Sequence, residues 1–183
     1  MALPSHIPHS LRSFLDHMEQ ITERASLDWL REAMASLTVT RDELEPFVHF
    51  REGCYERVLV HRSEHYELVC LCWKPGQRTP IHDHHGSSCG LRVISGVATE
   101  IRYDLDDDGI CRRSSRHDAP AGTVCASQDG DMHEIVNLSD SDELISLHCY
   151  SPPIAQFHTF EEGSSEVVFQ DLSAILVGAD ASD

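Results

Sequence analysis

Three histidines and a cysteine fall within the eight residues from His82 to Cys89. In the stretch Pro80-Ile81-His82-Asp83-His84-His85-Gly86-Ser87-Ser88-Cys89, His82 and His84 stand two positions apart. On an extended strand, side chains i and i+2 leave from the same face. Both imidazoles can therefore reach one point, as a metal ion requires. His85 leaves from the opposite face, so the adjacent trio does not supply three ligands. Cys89 precedes the apolar run Leu91-Arg92-Val93-Ile94, which ends at Gly96. The same residues also fit a surface loop with idle histidines, because Pro80 and Gly86 bracket them.

Two imidazoles need a third ligand. His133 is the best placed, since it follows the turn Asp129-Gly130-Asp131-Met132 and opens the expected strand Glu134–Leu138. His61 and His65 flank a turn, His117 sits in a polar loop and His158 comes late in the chain. None has a comparable context, and spacing alone does not exclude them. A second group is Ser146-Leu147-His148-Cys149-Tyr150. Ser146, His148 and Tyr150 share one strand face, where they form either a hydrogen-bonded relay or a solvated surface. A metal held by three neutral imidazoles keeps its full charge and favours an anionic ligand such as a thiolate. Arg57, at the start of a strand, can clamp a carboxylate through two parallel hydrogen bonds.

These residues need elements to position them. Residues 10–23 read as a helix capped by Ser10, with Leu11, Phe14, Leu15, Met18 and Ile21 on one face. A second helix starts at Ser26 and repeats through Leu27, Leu30, Met34 and Leu37. Thr40-Arg41-Asp42-Glu43 has the form of a capping box and should start a short third helix that Pro46 curtails. The histidines of this part (6, 9, 17 and 49) share no face and read as surface residues. After Gly53 the pattern becomes β. Strands are expected at Tyr55–His61, Tyr66–Trp73, Cys89–Ile94, Thr99–Tyr103, Gly122–Ala126, Glu134–Leu138, Leu144–Tyr150 and Val167–Phe169. Short strands separated by Gly, Pro and Asp turns indicate a closed barrel or sandwich. Residues 1–183 read as one domain: a helical layer over 1–50, a β-barrel over 54–172 and a tail over 173–183.

Composition bounds the partners. With 14 basic against 31 acidic residues the formal charge is −17, which argues against nucleic acid and anionic membrane as partners. No stretch reaches the roughly 20 apolar residues of a membrane span, and Met1 to His17 lacks the pattern of a signal peptide. Seven scattered cysteines without a CxxC pair suit a reducing cytoplasm better than a disulfide framework.

Taken together, the residues from about Tyr55 to Pro153 resemble the cysteine dioxygenases, thiol dioxygenases of the cupin superfamily. The first cupin motif stands as Gly76, five residues, His82-Asp83-His84 and then Gly96; the second stands as Gly122, Gly130, two residues, His133, three residues and Asn137. Ser-x-His-x-Tyr-Ser-Pro-Pro runs from Ser146 to Pro153. The resemblance implies a mainly β, cupin-type barrel (jelly roll) with a small N-terminal helical layer. It implies one Fe(II) on His82, His84 and His133, with Tyr150 facing substrate and O2 and with His148 and Ser146 behind it. Arg57 would hold the substrate carboxylate beside Tyr55, and Leu71, Trp73 and Ile135 would line the pocket. Cys89 takes the position that in some members is crosslinked to the tyrosine by a thioether. The chain departs from the general pattern in lacking the glutamate after HxH and in carrying Gln128 for the second motif's proline.

The implied activity is oxidation of L-cysteine by O2 to cysteine sulfinic acid in a cytoplasmic, monomeric enzyme of cysteine catabolism and taurine and sulfur metabolism. The nearest alternative is 3-mercaptopropionate or another small thiol, but that branch typically carries glutamine where Arg57 stands and lacks the cysteine. A zinc hydrolase would need a carboxylate base, and none stands out. A metal-binding sensor or storage cupin would have no use for the Ser146–His148–Tyr150 face.

Overall fold

The computed structural model describes residues 7–172. The expected tail at 173–183 and His6 lie outside the described residues. Two helices come first, α1 (His9–Met18) and α2 (Leu27–Ala35), then a 3-10 helix at Glu45–Phe47. Eleven strands follow: β1 (Glu56–Arg62), β2 (Glu67–Trp73), β3 (Ile81–His82), β4 (Ser88–Ser95), β5 (Val97–Leu105), β6 (Cys111–Pro120), β7 (Val124–Gln128), β8 (Met132–Val136), β9 (Leu144–Ser151), β10 (Gln156–Phe160) and β11 (Val167–Asp171). They form a five-stranded sheet in the order β1-β2-β9-β4-β7 and a six-stranded sheet in the order β11-β10-β3-β8-β5-β6. The sheets face each other across a core that joins Val69, Leu71, Leu91 and Val93 of the first to Ala98, Ala119 and Ile135 of the second.

The helices cover the outer face of the five-stranded sheet. That is why β2 reads as a nearly continuous apolar run. Leu68, Cys70 and Cys72 of β2 meet Leu11, Leu15, Leu30 and Met34 on the helical side. Val69, Leu71 and Trp73 alternate with them and enter the barrel core. A fully buried Leu or Met stabilises by roughly 1.5–3 kcal/mol, so the helical layer and the sheet hold each other. Gly90 of β4 marks the closest approach: a Cβ there would lie 2.9 Å from Met34 Cγ and 3.5 Å from Leu30 Cβ of α2.

Several expectations are corrected. The first helix runs from His9 to Met18 instead of 10–23, with Pro8 at the N-cap and no side-chain cap, so Ser10 sits inside the first turn. Past Met18 the chain leaves the helical path towards the barrel. Ser26 caps α2 as expected, its hydroxyl accepting from Trp29 N–H. The capping box forms, with Thr40 N–H donating to Glu43 at 2.9 Å and Glu43 N–H to Thr40 Oγ1 at 3.4 Å. It opens only a turn and the 3-10 helix, in which Pro46 lies at the start. β6 and β10 were not expected, and the strand expected to carry both His82 and His84 covers only Ile81–His82. His117 is on β6, not in a loop, and His158 is on β10. β8 begins at Met132, so His133 lies inside it, and Leu138 lies beyond its end.

Candidate active site

β3 is only two residues long, but it lies between β10 and β8, and His82 stands directly opposite His133 of β8. His84 is past the end of the strand, in a segment whose His84 N–H donates to Asp129 O at 3.1 Å. The two histidines therefore meet through a strand and a loop, not along one strand. Ring centroids of His82 and His84 each lie 4.9 Å from that of His133 and 5.3 Å from each other. The ligating atoms of all three are within 4.8 Å of one another, the one such group among the described residues. His85 points away and packs on His158 and Phe169.

The surroundings suit a metal. His82 Nδ1 faces the Pro80 carbonyl at 3.0 Å and His133 Nδ1 faces the Glu100 carboxylate at 2.8 Å, which leaves Nε2 of each ring for the cluster. His84 Nδ1 is buried without a hydrogen-bond partner among the described residues. Burial, then the proximity of His133, pushes His82 down to about 3, and the same causes hold His84 well below its ordinary value. Neutral imidazole is the form that binds metals, and a carboxylate on the far nitrogen fixes the ring and raises its basicity.

β9 brings the second group. Trp73 Nε1–H donates to Ser146 Oγ at 3.1 Å, Ser146 Oγ lies 3.0 Å from His148 Nε2, and His148 Nδ1 lies 3.4 Å from the Tyr150 hydroxyl. Trp73 can only donate. Ser146 is fully buried, so its proton has His148 Nε2 as its acceptor. His148, pushed down to about 3 by burial and then by His133, is neutral and carries its proton on Nδ1, towards Tyr150. The phenolic proton of Tyr150 is thereby left for Cys89 or for a molecule in the cavity. Burial raises the Tyr150 hydroxyl well above its usual range, so it stays a phenol. Cys89 faces Tyr150 in register across β4 and β9. Burial pushes its thiol up, against a smaller opposite effect of the Tyr150 hydrogen bond.

Arg57 reaches from β1 into the same space, its guanidinium carbon 5.8 Å from the centre of the Tyr150 ring. Glu67, fully buried on β2, holds both Arg57 and Arg62. Tyr55, Arg57, Leu71, His82, His84, Cys89, His133, Ile135, His148 and Tyr150 line one cavity of about 240 Å³. Trp73 is the exception among the expected wall residues: it is fully buried and stacks behind Tyr55 at 4.3 Å, so it supports the wall without lining it. Glu67, Asp83 and Glu100 escaped sequence reasoning. Glu100 shares the inward face of β5 and supplies a carboxylate, although none follows HxH. Arg102 and Asp104 on the same strand hide it in the sequence, although Glu100 is buried and they are not. Asp83 accepts from His158 N–H at 2.8 Å and faces His158 Nδ1 at 2.7 Å, anchoring the loop between His82 and His84 to β10.

Comparison with known proteins agrees with this arrangement. The family model for cysteine dioxygenase type I matches residues 4–163. Cysteine dioxygenase type 1 of Danio rerio is 28% identical over 166 residues, covering 85% of this chain and 81% of that protein. The Homo sapiens protein of that name is 24% identical over 161 residues, covering 85% and 80%. For the Rattus norvegicus protein the match is shorter, 29% over 120 residues and 60% of its length. Among solved structures, a Klebsiella pneumoniae protein with a double-stranded β-helix domain superposes with a TM-score of 0.52 at 23% identity, covering 65% of this chain and 89% of that one. That likeness concerns the fold.

Proposed function

Since the chain belongs to the cysteine dioxygenase type I family, we propose that it is an Fe(II) thiol dioxygenase that converts L-cysteine and O2 into cysteine sulfinic acid. The observation that carries this reading is one cavity holding three clustered imidazoles, a tethered arginine and an oriented phenol. His82, His84 and His133 would hold the metal. When bound, ferrous iron supplies the redox chemistry that lets O2 react with a thiol. Three neutral ligands leave the centre a charge higher than a two-histidine, one-carboxylate set does, which suits a substrate bringing a thiolate and a carboxylate. Arg57 binds the carboxylate with the N–H groups that Glu67 leaves free, fixing which end of the molecule enters first. Tyr55, Leu71 and Ile135 close the wall around it. The relay from Trp73 through Ser146 and His148 aims the Tyr150 hydroxyl as a donor at the sulfur and the incoming oxygen. Both atoms of O2 end on sulfur, so the thiol and O2 balance the sulfinic acid.

The register of Cys89 opposite Tyr150 supports a thioether between them. An S–C bond would form between Cys89 Sγ and the ring carbon beside the hydroxyl, with loss of the thiol and ring hydrogens. The two electrons go to O2. No second copy is needed to complete the cavity, and the free cysteines suit a cytoplasmic protein.

The test is anaerobic loading with Fe(II), followed by O2 and a panel of L-cysteine, 3-mercaptopropionate and cysteamine with detection of sulfinates. L-cysteine should be the preferred substrate. Faster turnover of 3-mercaptopropionate would reassign the substrate, and tight metal binding without any sulfinate would leave a non-catalytic metal protein.

A further inference from the structure

Arg24 leaves the helical layer between α1 and α2 and reaches the rim of the barrel. Its Nε–H donates to Ser88 Oγ at 2.9 Å and its Nη2–H to the Ser87 carbonyl at 3.1 Å. Nη1 and Nη2 donate to the two oxygens of Asp129 at 2.9 and 3.0 Å. Asp129 belongs to the turn that precedes His133, at a positive φ of 40°. It passes the connection on: its Oδ1 accepts from Gly86 N–H at 3.2 Å and its carbonyl from His84 N–H at 3.1 Å. The next residue, Ala25, donates its N–H to Ser151 Oγ at 3.0 Å, and Ser151 follows Tyr150.

One dipeptide thus touches four places that flank the site: the loop of His84, the residue before Cys89, the turn before His133 and the residue after Tyr150. We propose that Arg24 is a positioning residue for the metal centre, a clasp that fixes the loop of His84 against the turn of His133. The proposal rests on reading the three histidines as a metal site. Only an arginine can make the set, because its planar fork serves both carboxylate oxygens while Nε turns to a third acceptor. The side chains of Arg24 and Asp129 are 32% and 52% exposed, and such pairs add little to global stability. Their effect should fall on local order. A metal site whose ligands sit on separate loops depends on contacts that hold those loops together before the ion arrives.

The test uses the whole chain with Co(II) as the metal probe and amide hydrogen exchange on the metal-free protein. Arg24→Ala should weaken Co(II) binding roughly tenfold and speed its release. Exchange protection should fall at His84, at Gly86 and across 128–131, while the melting temperature of the metal-free protein moves by no more than about 2–4 °C. Arg24→Lys, which cannot form the fork, should fall between. Arg31→Ala, which removes another arginine of the helical layer, paired with Asp28, should leave both readouts unchanged. Wild-type Co(II) affinity and protection in Arg24→Ala would overturn the proposal, as would an equal loss in Arg31→Ala. If Arg24→Ala does not fold, Asp129→Asn decides, because it keeps an acceptor for Gly86 but loses the charge; unchanged values there would overturn the clasp equally. If the wild-type chain takes up no Co(II), the metal reading fails, and the exchange pattern alone decides the clasp.

Discussion

β9 and β3 end at the same cavity, but they are held there differently. β9 is buried along all of its length, packed by helices on one side and by the barrel core on the other. β3 is two residues long and is fixed by its neighbours β8 and β10, while the loop beyond it hangs on hydrogen bonds to Asp129 and His158. Tyr150, His148 and Cys89 thus stand on a packed wall, and His82 and His84 on a polar scaffold. The wall resists changes in hydrogen bonding, and the scaffold resists changes in volume.

The most severe break is on the scaffold. His84→Ala should lower metal affinity by more than about a hundredfold and abolish turnover, with little change in the urea midpoint of the metal-free protein; metal analysis after desalting checks it. On the wall the outcome reverses. Leu147→Ala, at a fully buried site facing the helices, should cost about 2–5 kcal/mol of stability while the metal affinity of the folded fraction stays close to wild type. Arg57→Ala should raise KM for L-cysteine roughly 10–100-fold, as expected for losing a charge-assisted hydrogen bond, with kcat changed less; an unchanged KM would remove Arg57 from the carboxylate site. The smallest effect is a pH slope. The unfolded chain protonates His148 below its ordinary value of 6.5, but the folded chain holds it neutral down to about 3. Stability of the metal-free protein therefore falls with falling pH across that window. His148→Gln should make the slope shallower by up to about 1.4 kcal/mol per pH unit, measured by urea titrations at several pH values.

The same contrast explains what could be read from the chain. β2 announces itself because burial on both faces leaves an apolar run from Leu68 to Trp73, whereas β9 alternates apolar residues with Ser146, His148 and Tyr150. β6 carries Arg112, Arg113, Ser114, Ser115, Arg116 and His117, all exposed, and is a strand only because β5 supplies its hydrogen bonds. Periodicity reports burial, and a strand without a buried face has none to report. At the site, spacing singled out the pair His82 and His84, while His133 and Tyr150 stood out only through the family resemblance. Glu100 was not legible, because its role depends on which strand lies beside β8. Trp73 was placed one layer too far in, since alternation gives the face of a side chain and not which neighbour stands in front of it.

Glu67 has a consequence for how this site can change. It is fully buried, and Arg57 is one of two cations that hold it among the described residues. Replacing Arg57 by a neutral residue, as a thiol without this carboxylate arrangement would favour, leaves a buried anion with Arg62 alone, and unpairing buried charge is strongly destabilising. Drift towards another substrate therefore meets a fitness valley made by folding, not by catalysis. On the proposed role of Arg57, the passable route changes Glu67 first or at the same time.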